Sequence, residues 1–187
     1  TPAGATVNLV FASPFASNTA YTLTATGIRD LSQNEAGSLS LPFSIVSAGF
    51  GDVIISEIMA DPDPQVGLPL AEYVELHNTT NSPVDLAGWT LVTGSTQRPI
   101  TDGTLAPQGY LVVCKSEFAS LFAPFGTVAT VPSLTITNTG QPLRLLNASV
   151  GLTDTLTFAT SWYNDASKEE GGWSIELIDP AALCLGG

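Results

Sequence analysis

Apolar and polar residues alternate along most of this chain, with the period of two that is typical of half-buried β-strands. Seventeen glycines and thirteen prolines punctuate the alternation, which favours many short strands joined by turns. The first part of the pattern predicts three strands, at residues 5–11, 20–27 and 38–46. The segment IRDLSQNEAG lies between the last two and has the Asp, Ser, Asn and Gly content of a turn.

A second unit is predicted after the short join SAGFGD at residues 47–52. Its predicted strands lie at residues 53–59, 71–78, 83–94, 109–115, 133–138, 141–147, 154–160 and 173–179. The third of these contains a tight turn at Ala87–Gly88, and the apolar run of the fourth predicts burial on both faces. Strands at this spacing predict an all-β sandwich.

One helix is predicted, at residues 116–122. Phe118, Leu121 and Phe122 have the spacing of one helical face, and Ser116 could cap the N-terminus.

The formal net charge of −12 limits the partners. Such a field repels nucleic acid and anionic membrane surfaces, and no basic cluster opposes it. No apolar run reaches the roughly 18 residues of a membrane span. We therefore expect neither nucleic-acid binding nor membrane insertion, whereas calcium, other cations and cationic partners stay open.

Two cysteines, Cys114 and Cys184, could form one disulfide in an oxidising compartment. The alternative is that Cys114 is a half-buried strand residue, because sequence does not give disulfide geometry. The abrupt start at Thr1 and the end at LCLGG lead us to expect a fragment of a longer protein.

The segment NTAYTLTATGIRDLSQNEAGSLSLPFSIV resembles the C-terminal half of a bacterial Ig-like domain. The matching residues are Tyr21, Asp30, Asn34 and Phe43. The resemblance assigns residues 1–48 to the end of such a domain, which occurs in repeats on secreted and surface proteins. Three strands without their partner sheet would expose an apolar face, so we expect them to pack on the second unit or to pair with another copy of the chain.

Residues 49–187 resemble the lamin tail domain in its bacterial form. The motifs, in order, are IISEIMADP, EYVELHNTTNSPVDLAGWTL, LAPQGYLVVCKSEFASLF, LTITNTGQPLRLL and KEEGGWSIELIDP. The family often has a further strand with a Trp, so the domain is expected to be truncated at its C-terminal end. The resemblance implies an Ig-like β-sandwich and no activity, because function does not follow from fold. In bacteria the module usually accompanies secreted, surface or nuclease-like proteins; in animals it ends the nuclear intermediate-filament proteins.

The carboxylates around strand 71–78 suggest a site. Alternation places Glu72 on one face and Glu75 on the other, beside the single histidine, His77. A structural interpretation is favoured, in which a glutamate bonds backbone donors or an arginine at the rim of the sandwich. His77 has no further zinc ligands at close spacing and is interpreted as a solvated strand end.

The loop ADPDPQVG supplies calcium candidates. Asp61 and Asp63, together with Glu57, could offer oxygen ligands. The loop lacks the glycine and the glutamate of an EF-hand, and Asp-Pro pairs also form ordinary turns.

Aromatic residues offer another candidate. Trp162 and Tyr163 lie in a loop-like stretch and could form a binding patch, for example for glycans. Trp89 follows a turn and is interpreted as core. The N-glycosylation patterns at Asn78 and Asn147 are interpreted as turn residues.

The sequence therefore predicts a non-catalytic structural, adhesion or protein-interaction module of a secreted or cell-surface bacterial protein. No nucleophile elbow, glycine-rich phosphate loop or zinc motif is present. A protein partner or self-association is expected. The alternative is a calcium- or glycan-binding accessory module of a larger extracellular hydrolase or nuclease.

Overall fold

A computed structural model describes residues 8–13, 15, 19–45 and 47–179. The chain divides into two compact units, Thr1–Ser47 and Ala48–Gly187. That the first unit is the end of an Ig-like domain stays a prediction.

The first unit is built on an antiparallel hairpin of β1 (Thr19–Ala25) and β2 (Leu39–Ile45). The intervening segment is a turn, as predicted: the Asp30 carboxylate accepts hydrogen bonds from the Ser32 and Asn34 amides at 2.8 and 2.9 Å. The strand predicted at residues 5–11 is wrong over residues 8–11, which pair with no other strand, while residues 5–7 lie outside the described part of the chain. Alternation alone predicts a strand but not a partner to pair with it.

The second unit contains two main sheets and a small ribbon. Its strands are β3 (Val53–Met59), β4 (Tyr73–Asn78), β5 (Val84–Asp85), β6 (Thr90–Thr93), β7 (Thr96–Pro99), β8 (Thr104–Leu105), β9 (Tyr110–Lys115), β10 (Val128–Val131), β11 (Pro142–Leu146), β12 (Leu152–Thr157) and β13 (Ile175–Glu176). One sheet has the order β10-β9-β4-β3-β13 and the other β12-β11-β6-β7, while β5 and β8 pair separately. Among these described strands, β9 and β10 pair in parallel and the other neighbouring pairs are antiparallel.

The core lies between the two main sheets. Val74 and Leu76 of the first sheet and Leu91 and Leu143 of the second belong to one buried cluster. Trp89 is also in this cluster, which confirms its interpretation as core. Two sheets that bury their facing sides against each other make the predicted all-β sandwich.

A second, smaller cluster covers part of the outer face of the five-stranded sheet. Tyr73, Val112 and Cys114 pack there with Phe122, which belongs to α1 (Ala119–Phe122). The strand β9 is therefore buried on both faces, as predicted. The helix is preceded by a 3₁₀ turn, and the predicted cap by Ser116 is wrong, because its hydroxyl donates to the Val131 carbonyl instead.

The sequence pattern fails where burial does not come from strand pairing. The strand predicted at residues 133–138 is wrong, because this segment joins no sheet of the described residues, although Leu134 and Ile136 are buried in the core. The last predicted strand, 173–179, shortens to the two residues of β13. The alternation of apolar and polar residues indicates which side chains are buried. It does not indicate which backbone groups form hydrogen bonds with another strand.

Val150 has a left-handed backbone, with φ of 64°, at an exposed turn. Its side chain is 74% exposed, so packing does not compensate for a conformation that β-branched residues disfavour. We expect Val150→Asn to raise the free energy of unfolding by about 1 kcal/mol, measured by equilibrium urea denaturation. Val150→Thr is the control, because it adds polarity but keeps the β-branch. An equal gain in both variants would contradict the backbone explanation.

Candidate recognition site

A bulge in β3 determines which side chains reach the open part of the outer face. The register of β3 on β4 shifts between Ile55 and Glu57, so that Ser56 and Glu57 both lie opposite Glu75. The Ser56 hydroxyl donates to the Glu75 carboxylate at 2.7 Å, and the Tyr73 hydroxyl donates to the Glu57 carboxylate at 2.7 Å. These two bonds hold the carboxylates on the outer face.

Three glutamates on adjacent strands form a row across the sheet, which we call the glutamate row: Glu75 on β4, Glu57 on β3 and Glu176 on β13. The amide of Leu177 donates to the Ser56 carbonyl, so Glu176 and Glu57 form the non-hydrogen-bonded type of antiparallel pair, in which side chains are closest. Burial raises the pKa of Glu75, and the negative charges of Glu57 and Glu176 raise it further.

The glutamate row has no cationic partner among the described residues. The ion pairs within them are Arg29–Glu35 and Lys115–Glu117. The row lines a groove of about 340 Å³ together with Ser56, Tyr110, Leu177 and Ile178. Tyr110 is half exposed there, and its ring stacks on His77.

An aromatic groove of about 630 Å³ adjoins this glutamate groove and shares Glu176 and Ile178 with it. Its aromatic walls are Trp162 and Tyr163, from the 3₁₀ turn Thr160–Tyr163, and Trp173. Trp162 is 48% exposed and Trp173 is 41% exposed.

Two contacts organise the aromatic groove. The Tyr163 hydroxyl donates to the Trp173 carbonyl at 2.7 Å. The Lys168 ammonium lies 5.0 Å from the centroid of the Trp173 ring, within cation–π distance. The groove therefore already holds one cation against an aromatic face.

Close backbone packing forms one side of the aromatic groove. The Gly172 amide donates to the Asp61 carbonyl at 2.7 Å, and a Cβ on Gly171 would overlap the Asp63 carbonyl. Both glycines have positive φ, at 102° and 80°. The loop that contains Asp61 and Asp63 is thus held against the segment that carries Trp173.

The three calcium candidates have different surroundings in the structure. Glu57 belongs to the glutamate row, Asp61 is half-buried beside Gly171, and Asp63 is exposed. The described residues include no group of three or more His, Cys, Asp or Glu side chains that could hold a metal ion. Calcium binding at this loop stays a prediction, and the observed packing gives the loop a structural role beside the aromatic groove.

Glu72 behaves as the structural interpretation predicts. Its carboxylate accepts the Ile136 amide at 2.8 Å, in the connection between the sheets. Burial raises its pKa, while this bond and the charge of Arg98 oppose the rise. Asp154 has a similar role, since it accepts the Ile55 amide at 2.7 Å and burial raises its pKa.

His77 corrects one prediction. The side chain is buried, not solvated, because it stacks on Tyr110 and its Nδ1 lies 3.1 Å from the Gly109 carbonyl oxygen. Asn147 is a turn residue, as interpreted, whereas the same interpretation is wrong for Asn78, which is the buried last residue of β4 and begins the turn that follows. Both side chains bond backbone groups of their own turns.

Cys114 is fully buried within the second, smaller cluster on the outer face, and burial raises the pKa of its thiol to about 11. Cys114 is a strand residue of β9, as the alternative interpretation has it, and Cys184 lies outside the described residues, so a disulfide between the two cysteines stays untested.

Sequence reasoning missed Trp173, Lys168 and Glu176 as site residues. The available signal was the cluster of large and charged residues around the paired glycines in KEEGGWSIE. It was missed because alternation assigned this segment to a long strand, whereas β13 is short and its flanks line the grooves.

These two sheets and their connections define an all-β sandwich of the Ig-like class. A family model for the lamin tail domain matches residues 47–160, more than half of the chain, and the chain belongs to this family. The family is a non-enzymatic, Ig-like one. No curated protein matches the sequence. Within the described residues, no helix has both the length and the apolar character needed to cross a membrane.

The raised pKa of Glu75 predicts a pH effect on stability. Above the ordinary value of 4.5, the unfolded chain loses this proton before the folded chain does. Stability therefore falls as pH rises from 4.5 through the raised folded pKa. We expect Glu75→Gln to gain stability relative to the wild type across this window, while Gln still accepts the Ser56 hydroxyl.

The measurement is urea unfolding from about pH 4 to about pH 7. Asp102→Asn is the control, because it removes one negative charge from an exposed loop. A stability difference between Glu75→Gln and wild type that does not change with pH would contradict the prediction.

Proposed function

We propose that this lamin tail domain is a non-catalytic interaction module that holds a partner in the aromatic groove. The observation that carries the proposal is the placement of Trp162 and Trp173. Both are large, exposed and in one groove, whereas Trp89, the remaining tryptophan, is buried in the core. Exposed aromatic side chains in a concave surface are typical of binding sites.

The framework of the groove supports recognition by preformed geometry. The contact of Gly171 and Gly172 with the loop at Asp61–Pro64 and the Tyr163 bond to the Trp173 carbonyl hold its walls. A partner would therefore meet side chains that are already positioned, which lowers the entropy cost of binding.

A protein partner is favoured over a glycan by the chemistry at the groove. The Tyr163 hydroxyl already donates a hydrogen bond to the Trp173 carbonyl, and the Lys168 ammonium lies over one face of the Trp173 ring. Few polar groups of the groove therefore remain to bind sugar hydroxyls. The exposed ring of Trp162 supports glycan stacking as the second candidate.

We also propose that the host protein is bacterial and is secreted or displayed at the cell surface. The support is the resemblance of residues 18–46 to Ig-like repeats of such proteins.

The test compares wild type with the Trp162→Ala/Trp173→Ala variant on panels of immobilised glycans and blocked synthetic peptides. We expect binding to at least one probe, weakened at least about tenfold in the double variant, because aromatic anchors carry much of a binding energy. Phe125→Ala is the control, since Phe125 is exposed but lies outside the groove. Equal losses in both variants, or no binding by wild type, would contradict the proposal.

A further inference from the structure

We propose that the partner is an extended, arginine-containing peptide segment that pairs with the free edge of β13 and places its arginine on the glutamate row. This inference rests on the proposed function, because the peptide lies along the same aromatic groove. It names the chemistry of the partner.

The first step concerns the backbone of β13. This strand ends the order of the five-stranded sheet, so one of its sides faces no other described strand. The Leu177 amide points to β3, where it donates to the Ser56 carbonyl at 2.7 Å. Backbone groups alternate along a strand, so the amide and carbonyl of Glu176 point to the free side. Among the described residues neither has a hydrogen-bond partner, and an added strand would supply one.

The second step concerns side-chain direction. A peptide residue that pairs with Glu176 carries its side chain on the same face of the sheet as Glu176. That face holds Glu57 and Glu75 on the next two strands. A long cationic side chain at this position therefore reaches across the glutamate row.

The third step is charge complementarity. The chain carries a formal net charge of −12, and no cation of the described residues is ion-paired with the row. An incoming cation would relieve the repulsion among Glu57, Glu75 and Glu176. Attraction by the whole acidic surface would also speed the encounter.

Arginine fits this groove better than lysine. Its planar guanidinium can bond two carboxylates and stack on an aromatic face, whereas an ammonium is a point charge. Tyr110 lines the glutamate groove and is half exposed, so its ring edge or face is available to the guanidinium. Side chains alternate along a strand, so the apolar neighbours of the arginine point to the face of Ile175, which lines the aromatic groove and not the glutamate groove.

The experiment titrates the protein with the blocked pentapeptide acetyl-Ser-Val-Arg-Val-Ser-amide, followed by calorimetry and tryptophan fluorescence. We expect binding that weakens at least about tenfold when Gln replaces the arginine. Methylation of the backbone nitrogen of the arginine should weaken binding as well, because it removes a donor to the sheet edge.

Protein variants locate the contact. The Glu57→Gln/Glu75→Gln/Glu176→Gln variant should bind the arginine peptide at least about tenfold more weakly. The matched control is Asp85→Asn/Asp102→Asn/Glu117→Gln, which removes the same charge from exposed residues that line neither groove. If the triple variant folds poorly, the single variant Glu176→Gln is titrated with the arginine peptide instead and should also bind it more weakly. The Glu176 side chain makes no hydrogen bond within the described residues, so this substitution should not disturb the fold.

The outcomes separate this inference from the proposed function. No binding of the arginine peptide, or equal losses in the row variant and its control, would overturn the inference. If the tryptophan variant loses a neutral peptide or a glycan while the row variant keeps the arginine peptide, the proposed function stands and the inference fails. Sedimentation tests a further alternative. If the wild type is a dimer and Glu176→Gln is a monomer, the groove is occupied by a second copy of the chain and the inference of an arginine-containing peptide is overturned.

Discussion

The two-residue alternation of β3 and β4 is the constraint on which both the core and the candidate site depend. Val74 and Leu76 face the second sheet and are fully buried, and their neighbours Tyr73 and Glu75 must therefore face outward. A shift of one residue in register would bury the carboxylate and expose the leucine. The apolar core thus fixes the position of the glutamates, although the core makes no use of their charge.

The bulge in β3 modifies this constraint at one place. An extra residue brings Ser56 and Glu57 together opposite Glu75, so a donor and a second carboxylate share the space that one side chain would occupy. The hydroxyls of Ser56 and Tyr73 each satisfy one carboxylate oxygen. The row is therefore held in place by neutral donors, and within the described part of the chain no cation is ion-paired with it.

Much of the fold could be predicted from the sequence, since alternation, turn residues and the apolar run at residues 109–115 depend on local chemistry. The strand at residues 53–59 matches β3 at both ends. Pairing is another matter. The sequence did not indicate β10, which lies parallel to β9, because this pairing depends on contacts across the helical connection. It also did not indicate the edge strand β7, which pairs locally with β6 around Gly94, because its residues Thr96–Pro99 are polar and lack apolar alternation.

The candidate site could be predicted only in part, for the same reason. Trp162 and Tyr163 were identified because adjacent aromatics in a polar loop are visible in the sequence. Glu57 was identified for a different chemistry, as a calcium ligand. The glutamate row itself was not predicted, because it depends on the register of three strands and on a bulge that no local pattern shows.

The brevity of β13 bears on solubility. A long unpaired strand at a sheet edge is a template for aggregation, and proteins guard against this with short edges and with charge. With only Ile175 and Glu176 in the strand and a carboxylate on the adjoining outer face, this edge, which has no neighbouring strand among the described residues, offers too few backbone groups to recruit a second sheet on its own. The short length of β13 thus limits aggregation. It also means that a ligand of this edge must be recognised mainly through the side chains of the ligand.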